Sequence, residues 1–245
     1  MRTIAIGDIH GGLKGLKQVL ERAKVTSQDE LIFMGDYVDG WSESAQLIDF
    51  LIELSYGNNC HFIFGNHDAW CYDWLTRGTE NHIWLKHGGK ETVMSYEGYS
   101  SDQKDEHIAL FMKMKNYYVD SKNRLFIHAG YTSMHGPAKE HYASNYGWDR
   151  TLWEMAVAVH GRIDDTDEAY PDRLKLFSEI YIGHTPTTKW GIDYPWNRAN
   201  VWNLDTGAAF KGKLSALDID TKEFWQSDPV MELYPKEVGR NKLIK

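Results

Sequence analysis

The first 65 residues alternate short apolar runs with segments of helical periodicity. Residues 3–6, 31–34 and 61–64 are apolar runs of strand length. Between them, apolar residues recur every three or four positions over residues 13–23 and 45–52, and Ser42 or Ser44 could cap the second of these helices. Short strands that alternate with helices predict a β-α-β-α-β unit with parallel pairing and right-handed crossovers.

The rest of the chain is less regular. Residues 68–119 are helical in pattern and rich in aromatic side chains, and further strands are predicted at 124–127, 180–182, 201–204 and 214–217. One helix is predicted near residues 152–159. The late strands are closely spaced and carry the turn sequence Asp205-Thr206-Gly207, which indicates a second, more antiparallel sheet.

Composition excludes several classes of protein. The chain has 245 residues, 42% hydrophobic and 25% charged, which is typical of a folded domain and not of a disordered one. Its net charge of −8 argues against non-specific binding to nucleic acid or to anionic membranes. No apolar run approaches the roughly 20 residues of a membrane span. The N-terminal apolar stretch is too short for a signal peptide, and two cysteines do not form a disulfide framework, so we expect a cytoplasmic protein.

Five strands end in the same kind of sequence. Each is followed by Asp, Asn or His next to glycine: Gly7-Asp8-Ile9-His10-Gly11, Gly35-Asp36-Tyr37-Val38-Asp39-Gly40, Gly65-Asn66-His67-Asp68, His128-Ala129-Gly130 and Gly183-His184-Thr185. Each motif alone is weak evidence, because Asp and His are ordinary loop residues. Together they are strong evidence of a site, because ligands bind beyond the carboxyl ends of the strands in open α/β sheets.

The residue types point to metal ions. The candidate ligands supply oxygen and imidazole donors and no thiolate, and they are Asp8, His10, Asp36, Asn66, His128 and His184. Such a mixed set suits manganese, iron or zinc. Six ligands exceed the need of one ion with open positions, but they fit two ions that share a bridging carboxylate. Two ions about 3.5–4 Å apart can hold a phosphoryl group and acidify a water molecule for in-line attack.

The series GDIHG, GDYVDG, GNHD, HAG and GHT resembles the calcineurin-like metallophosphoesterases. More narrowly, it resembles their phosphoprotein phosphatase branch, which includes bacterial and phage Ser/Thr phosphatases and symmetrical diadenosine tetraphosphate hydrolases. The likeness runs from residue 3 to about residue 220. It implies one domain over residues 1–245, an α/β fold with an α/β/β/α sandwich of two mixed sheets, flanking helices and a small helical cap. The cap and insert segments would be residues 69–120 and 131–175.

The resemblance also implies roles for the motif residues. Asp8 and His10 would hold the first metal, Asp36 would bridge both metals, and Asn66, His128 and His184 would hold the second. His67 would protonate the leaving group, and Asp39 would orient and charge that histidine. The alternative for Asp39 is a carboxylate that only caps a turn.

Phosphate binding in this family usually involves two arginines, because a guanidinium fork neutralises charge on the phosphoryl oxygens. The first follows the second aspartate of the second motif, where this chain has Gly40. The second lies in a Trp-x-Arg segment, which Trp148-Asp149-Arg150 matches, so Arg150 is the candidate. Arg77 is a weaker candidate to replace the missing arginine. Asn66 and His67 are expected to contact the phosphate as well.

These features favour a dinuclear-metal phosphoester hydrolase that uses a metal-bridging water as its nucleophile. Two Mn²⁺ ions are the expected cofactors, with Fe or Zn as alternatives. A phosphorylated protein is the first expected substrate. The alternative is a dinucleoside polyphosphate or another small phosphoester, and the gap at Gly40 makes this alternative serious. A third reading, a binding module that has lost activity, is disfavoured because the expected ligands and proton donor are present. The oligomeric state stays open.

Overall fold

Two five-stranded sheets packed face to face organise the chain. The structure is a computed structural model that describes residues 1–79 and 81–241. The strands in the described residues are β1 (Thr3–Ile6), β2 (Glu30–Phe33), β3 (Asn59–Phe62), β4 (Tyr117–Val119), β5 (Arg124–Ile127), β6 (Glu179–Ile182), β7 (Trp196–Arg198), β8 (Val201–Asn203), β9 (Ser215–Asp218) and β10 (Phe224–Gln226).

Helices cover the outer faces of both sheets. The α-helices in the described residues are α1 (Leu13–Arg22), α2 (Ser44–Gly57), α3 (Asn66–Arg77), α4 (His82–Trp84), α5 (Lys90–Ser95), α6 (Ser101–Lys113), α7 (Asn145–Trp148), α8 (Thr151–Val159), α9 (Asp172–Lys175) and α10 (Val230–Leu233). Short 3₁₀ turns lie at Pro137–Lys139 and Thr187–Trp190, and a kinked turn at Leu85–Gly89 joins α4 to α5. None of the described helices has the length and apolar character that a membrane crossing requires.

The first sheet has the strand order β10-β9-β1-β2-β3. Strands β1, β2 and β3 are parallel and end in register, since Ile6 pairs with Phe33 and Phe33 pairs with Phe62. The second sheet has the order β4-β5-β6-β8-β7, in which β5, β6 and β8 are parallel. Strands β1–β3, β5 and β6 are those that carry the motifs, so in each sheet the motif loops leave from one edge.

The alternation of side chains along each strand builds three layers of core. Ala5 and Ile32 face the second sheet, where they share a cluster with Phe126 and Tyr181. Ile4 and Ile6 face the opposite way and pack with helices α1 and α2. On the far side, Leu125 and other residues of the second sheet pack against α8. The predicted fold of two mixed sheets between helical layers is confirmed.

Two details of the prediction are wrong. The late strands were expected to share a second, more antiparallel sheet, but β6 and β8 are parallel, and β9 crosses to the first sheet and pairs antiparallel with β1. All four residues of β9 are buried, so its hydrophobic pattern does not indicate which sheet it joins. Neither serine caps α2: Ser44 is already helical and its Oγ accepts from the Asp39 N–H, while Ser42 bonds to Glu237.

Glu140 organises the loop that follows the His128 motif. Its carboxylate accepts hydrogen bonds from the backbone N–H groups of Thr132, Ser133 and Tyr142 and from the side chain of Asn145. Partial burial opposes the charged form of Glu140, but these hydrogen bonds lower its pKa to about 2. The loop then returns to the motif, since the Ala129 N–H donates to the carbonyl of Tyr146 at 2.8 Å.

Replacing Glu140 with glutamine should lower the free energy of unfolding at pH 7 by about 1–2 kcal/mol, because charge-assisted hydrogen bonds are lost. The folded-state pKa is depressed, so the contribution of the carboxylate is present above the unfolded pKa near 4.3 and disappears as the pH falls towards 2. Urea denaturation should therefore show a difference in the free energy of unfolding between wild type and Glu140→Gln, and this difference should become smaller below about pH 4.5. The exposed Glu168→Gln variant is the control, and a pH-independent gap would contradict this account.

Candidate metal centre and active site

The motif residues converge where the two sheets meet. Each predicted ligand lies one to four residues beyond the carboxyl end of β1, β2, β3, β5 or β6. A contact between the sheets fixes this arrangement, because the Asp8 carboxylate accepts a hydrogen bond from the backbone N–H of His184 at 2.9 Å. Asp68 joins two further loops, accepting from the N–H groups of Asp36, Tyr37 and Gly65.

The backbone at the site is held in an unusual conformation. His10, Asp36, Asp39 and His184 have φ values between 53° and 75°, in the left-handed region that non-glycine residues seldom adopt. Such strain costs on the order of 1–3 kcal/mol per residue and persists only where the surrounding structure enforces it. Four strained residues in one group therefore indicate that their side chains are aimed at a common point.

The glycines of the motifs allow this close approach. A Cβ atom at Gly183 would lie 2.0 Å from Asp8 Oδ1, and one at Gly65 would lie 2.3 Å from Asp36 Oδ1. Neither carboxylate could keep its place beside a side chain at these positions, which explains the glycine that precedes His184 and Asn66.

Backbone carbonyls set the tautomers of two histidines. His10 Nδ1 donates to the carbonyls of Val38 and Asp39 at 3.1 Å, and His128 Nδ1 donates to the carbonyl of Met34 at 2.8 Å. When the Nδ1 atoms carry the protons, the Nε2 lone pairs face the site. Fixing the free nitrogen of an imidazole through its other nitrogen is the usual arrangement in metal-binding histidines.

Several of the candidate ligand atoms lie close to one another around Asp36. Asp36 lies at the centre, with Oδ2 3.5 Å from His10 Nε2 and Oδ1 3.4 Å from His128 Nε2. Asn66 Oδ1 lies 3.2 Å from His128 Nε2 and 2.9 Å from His184 Nδ1. Two sets of three residues could each hold an ion, because the ligand atoms within each set lie within 4.8 Å of one another. The first set is His10, Asp36 and His67, and the second is Asp36, His128 and His184.

Two buried polar atoms at the site also lack partners. Asp8 Oδ1 and His184 Nε2 are buried and make no hydrogen bond to any described residue. Because buried polar atoms are nearly always paired, such orphans require an explanation. The convergence of carboxylate, amide and imidazole acceptors fits two divalent cations that share Asp36.

The electrostatics of the cluster agree with a cation site. Burial and the charge of Asp205 hold the pKa of Asp8 well above its usual range. Burial opposes the charge of Asp36 too, but the histidines around it hold its pKa well below the usual range. Burial alone would lower the pKa of His128, yet Asp36 and Asp8 raise it to about 10. The buried carboxylates thus favour the binding of positive charge at this point.

His67 and Asp39 form a hydrogen-bonded pair beside the candidate ligands. His67 Nδ1 lies 2.6 Å from Asp39 Oδ2, and the His67 ring packs edge-on against His10 with centroids 5.0 Å apart. Asp39 is completely buried and also accepts from Trp84 Nε1 at 2.7 Å and Thr92 Oγ1 at 2.6 Å. The Asp39 carboxylate thus contacts the ring of His67 in addition to its place in the turn.

The two predicted arginines lie in different places. Arg150 is exposed at the start of α8, and its charge reaches the cluster: burial and His128 lower the pKa of His184, and Arg150 lowers it further. The structure does not bring Arg77 to the site. Arg77 ends α3, about 15 Å along the helix axis from His67, and is 71% exposed in an ion pair with Asp73.

Four residues near the site were not singled out from the sequence as site residues. Trp84 and Thr92, which hold Asp39, belong to the segment 69–120, which has no readable motif. Asp205 lies close enough to raise the pKa of Asp8. Arg240 Nη1 lies 3.4 Å from His10 Nε2, although the two residues are 230 positions apart. The turn sequence around Asp205 was a usable signal, but nothing in the sequence pointed to Arg240.

Comparison with known proteins agrees with this geometry. The model of the calcineurin-like phosphoesterase family matches residues 1–210. The asymmetrical bis(5'-nucleosyl)-tetraphosphatase PrpE of Oceanobacillus iheyensis is 25% identical over 242 residues, covering 91% of this chain and 91% of that protein. The PrpE protein of Bacillus thuringiensis is 26% identical over 233 residues, covering 89% and 90%.

Solved structures with the same fold include two phosphatases. A protein serine/threonine phosphatase from Saccharomyces cerevisiae superposes with a TM-score of 0.61 at 13% identity, over 93% of this chain and 80% of that one. A cold-active protein-tyrosine phosphatase from a psychrophilic Shewanella gives a TM-score of 0.57 at 12% identity, over the same shares. The family match spans most of the chain and includes the strand-end motifs from Asp8 to His184, so this protein is a member of the calcineurin-like phosphoesterase family, which comprises metal-dependent hydrolases.

Proposed function

We propose that this enzyme hydrolyses a phosphate ester or phosphoanhydride bond with two divalent ions, manganese by ligand type, held by Asp8, His10, Asp36, Asn66, His128 and His184. The observation that supports this most is the convergence of acceptor atoms on Asp36 beside the His67–Asp39 pair. When bound, the ions would supply positive charge to the phosphoryl oxygens and acidify the attacking water. The site itself would supply the proton for the leaving group.

His67 is the proposed proton donor. Its Nδ1 is engaged by Asp39, so Nε2 is the nitrogen free to act on substrate. Burial, together with a smaller contribution from the charge of Arg240, lowers the pKa of His67 to about 3, whereas a phosphoester dianion placed beside the ring would raise it. Asp39 would stabilise the resulting imidazolium. The protonated form would thus be favoured when substrate is present.

Dinucleoside polyphosphates are the proposed substrate class. The PrpE relatives align over about nine-tenths of their length and are named as asymmetrical tetraphosphatases. An aromatic wall beside the site suits a nucleobase: Trp148 is 44% exposed, lies 6.0 Å from the His184 ring and packs against Trp70, which in turn contacts His67. Arg150, two residues after Trp148, would bind a phosphate of the same substrate.

Phosphoprotein hydrolysis, the first expectation from the sequence, is the second candidate. Met134, Tyr142 and Trp148 are all more than 40% exposed in the segment that follows the His128 motif, and such exposed apolar side chains could bind a peptide. The two candidates differ in what Trp148 contacts, a base in one case and a polypeptide in the other. Under either one, we propose that the enzyme acts in the cytoplasm.

Activity should depend on divalent metal, because the cluster brings carboxylate and imidazole ligands together around Asp36. Protein treated with a chelator and dialysed should lose turnover of p-nitrophenyl phosphate and regain it with MnCl₂, with about two ions bound per chain by mass spectrometry. Full turnover by protein with no measurable metal would exclude the proposed centre.

Replacing His67 with asparagine should lower kcat by about 10²–10⁴-fold, because general-acid assistance is lost in the transition state. KM and metal content should change little. The loss should be smaller for p-nitrophenyl phosphate than for an alkyl phosphate, since nitrophenolate leaves without protonation. Asp39→Asn should show the same dependence on the leaving group. If His67→Asn instead loses an ion, His67 is a ligand, as its place in the first group of acceptors would also allow.

Replacing Trp148 with alanine should raise KM for diadenosine tetraphosphate by about ten-fold, the scale of one lost base–aromatic stack. Turnover of p-nitrophenyl phosphate should stay within two-fold. Tyr56→Ala, which removes an aromatic ring that is 85% exposed on α2, is the matched control. Chromatography of the products separates asymmetrical cleavage, which gives a nucleoside triphosphate and a monophosphate, from symmetrical cleavage. A larger effect of Trp148→Ala on a phosphopeptide would favour the second candidate.

A further inference from the structure

The segment 234–240 runs across the loop that follows β2 and is fixed there by several contacts. The Tyr234 ring stacks on Trp41 with centroids 5.4 Å apart, and the Glu237 carboxylate accepts from the N–H and hydroxyl of Ser42 at 2.9 and 2.7 Å. At its end, the Arg240 N–H donates to the carbonyl of Ala209 at 2.9 Å. The path of this segment is therefore defined up to Arg240.

Arg240 and Gly40 are complementary in shape. The aliphatic part of Arg240 lies over Gly40, so that a Cβ atom at position 40 would be 3.2 Å from Arg240 Cγ and 3.6 Å from Cδ. Gly40 also has a φ of 115°, which L side chains rarely adopt. In this chain the space beside position 40 is filled by Arg240, which lies 200 positions later in the sequence.

The guanidinium of Arg240 reaches the metal-ligand cluster. Its Nη1 donates to His10 Nε2 at 3.4 Å, and its Cζ lies 5.3 Å from the centroid of the Phe210 ring, which supports the planar group. Its Nε is buried and makes no hydrogen bond to any described residue. A donor is thus left unused beside the proton donor and the ligands.

We infer that Arg240 binds the phosphoryl group of the substrate. It would take the role of the arginine that the resemblance leads us to expect at position 40, where this chain has glycine. This inference rests on the proposed phosphoesterase function and adds to it a binding residue on the His10 side, opposite Arg150 on the His184 side. Two guanidinium groups would then neutralise the charge that develops on the phosphoryl oxygens. Arg77 is not needed for this role.

The test compares Arg240→Ala, Arg240→Lys and the control Lys236→Ala, which removes an exposed positive charge from the same segment. All three keep the backbone contact to Ala209, and circular dichroism checks their folding. The measurements are kcat/KM for p-nitrophenyl phosphate, the dissociation constant of inorganic phosphate by calorimetry, metal content, and the response to added guanidinium chloride at low millimolar concentration.

Arg240→Ala should lower kcat/KM by about 10²–10³-fold, the scale for loss of one transition-state donor, and weaken phosphate binding by at least ten-fold. Arg240→Lys should recover only part of both, because an ammonium group lacks the planar fork. Added guanidinium should partly restore Arg240→Ala and leave wild type unchanged. Metal content and Lys236→Ala should match wild type.

Three outcomes would overturn the inference. Unchanged kcat/KM and phosphate affinity in Arg240→Ala would mean that Arg240 does not contact phosphate. Loss of metal would mean that Arg240 only positions His10, and a gain in metal affinity or turnover would mean that it obstructs the site. If the proposed function itself were wrong, the wild-type protein would hydrolyse no phosphoester. The dissociation constants of inorganic phosphate for wild type and Arg240→Ala would still show whether Arg240 binds phosphate.

Discussion

The position of Asp36 is the constraint on which the site depends. Its carboxylate is buried, accepts the backbone N–H of His67, and lies within 3.5 Å of nitrogens from His10 and His128, which belong to different sheets. Keeping an ionised carboxylate in such a place requires compensating positive charge. The parallel strands, the glycines beside the ligands and the left-handed backbone at Asp36 itself all place acceptors around this one group. The protein therefore maintains a strained, electrostatically unsatisfied cluster that a pair of cations can stabilise.

The segments without motifs hold the proposed proton donor, His67, in place through Asp39. Asp39 belongs to the strand-end loop, but two of its hydrogen-bond donors, Trp84 and Thr92, come from the helices between β3 and β4. Those helices pack on α2 with buried aromatic residues such as Tyr96 and Phe111. A change in this layer would alter the orientation of His67 without touching a ligand. The aromatic residues that look like core packing in the sequence thus connect the stability of the outer layer to the chemistry of the site.

Much of the fold followed from local patterns. The β-α-β-α-β start, the helix at Thr151–Val159 and the strand at Arg124–Ile127 are where periodicity predicted them, because each buries one face against a neighbouring layer. The sheet that β9 joins was not predictable, since a strand buried on both faces has no hydrophobic alternation that indicates its partner strand. The capping prediction at Ser42 failed for a related reason: a serine near a helix start indicates a cap, but Ser42 bonds to Glu237, nearly 200 residues away.

The sequence by itself determined where the candidate site lies, because each candidate ligand follows an apolar strand within four residues, and the carboxyl ends of parallel strands lie at one edge of a sheet. The eight residues from Asp8 to His184 that were expected to act together are therefore found together, and the metal-dependent family was recognisable from them. Only the tertiary structure decided which other residues lie against the candidate site. Arg240 reaches His10, Trp84 reaches Asp39, and Arg77 points away along α3, because these distances depend on how loops and the final segment pack. Packing between residues far apart in the chain leaves no periodic signal in the sequence, so it becomes visible only in three dimensions.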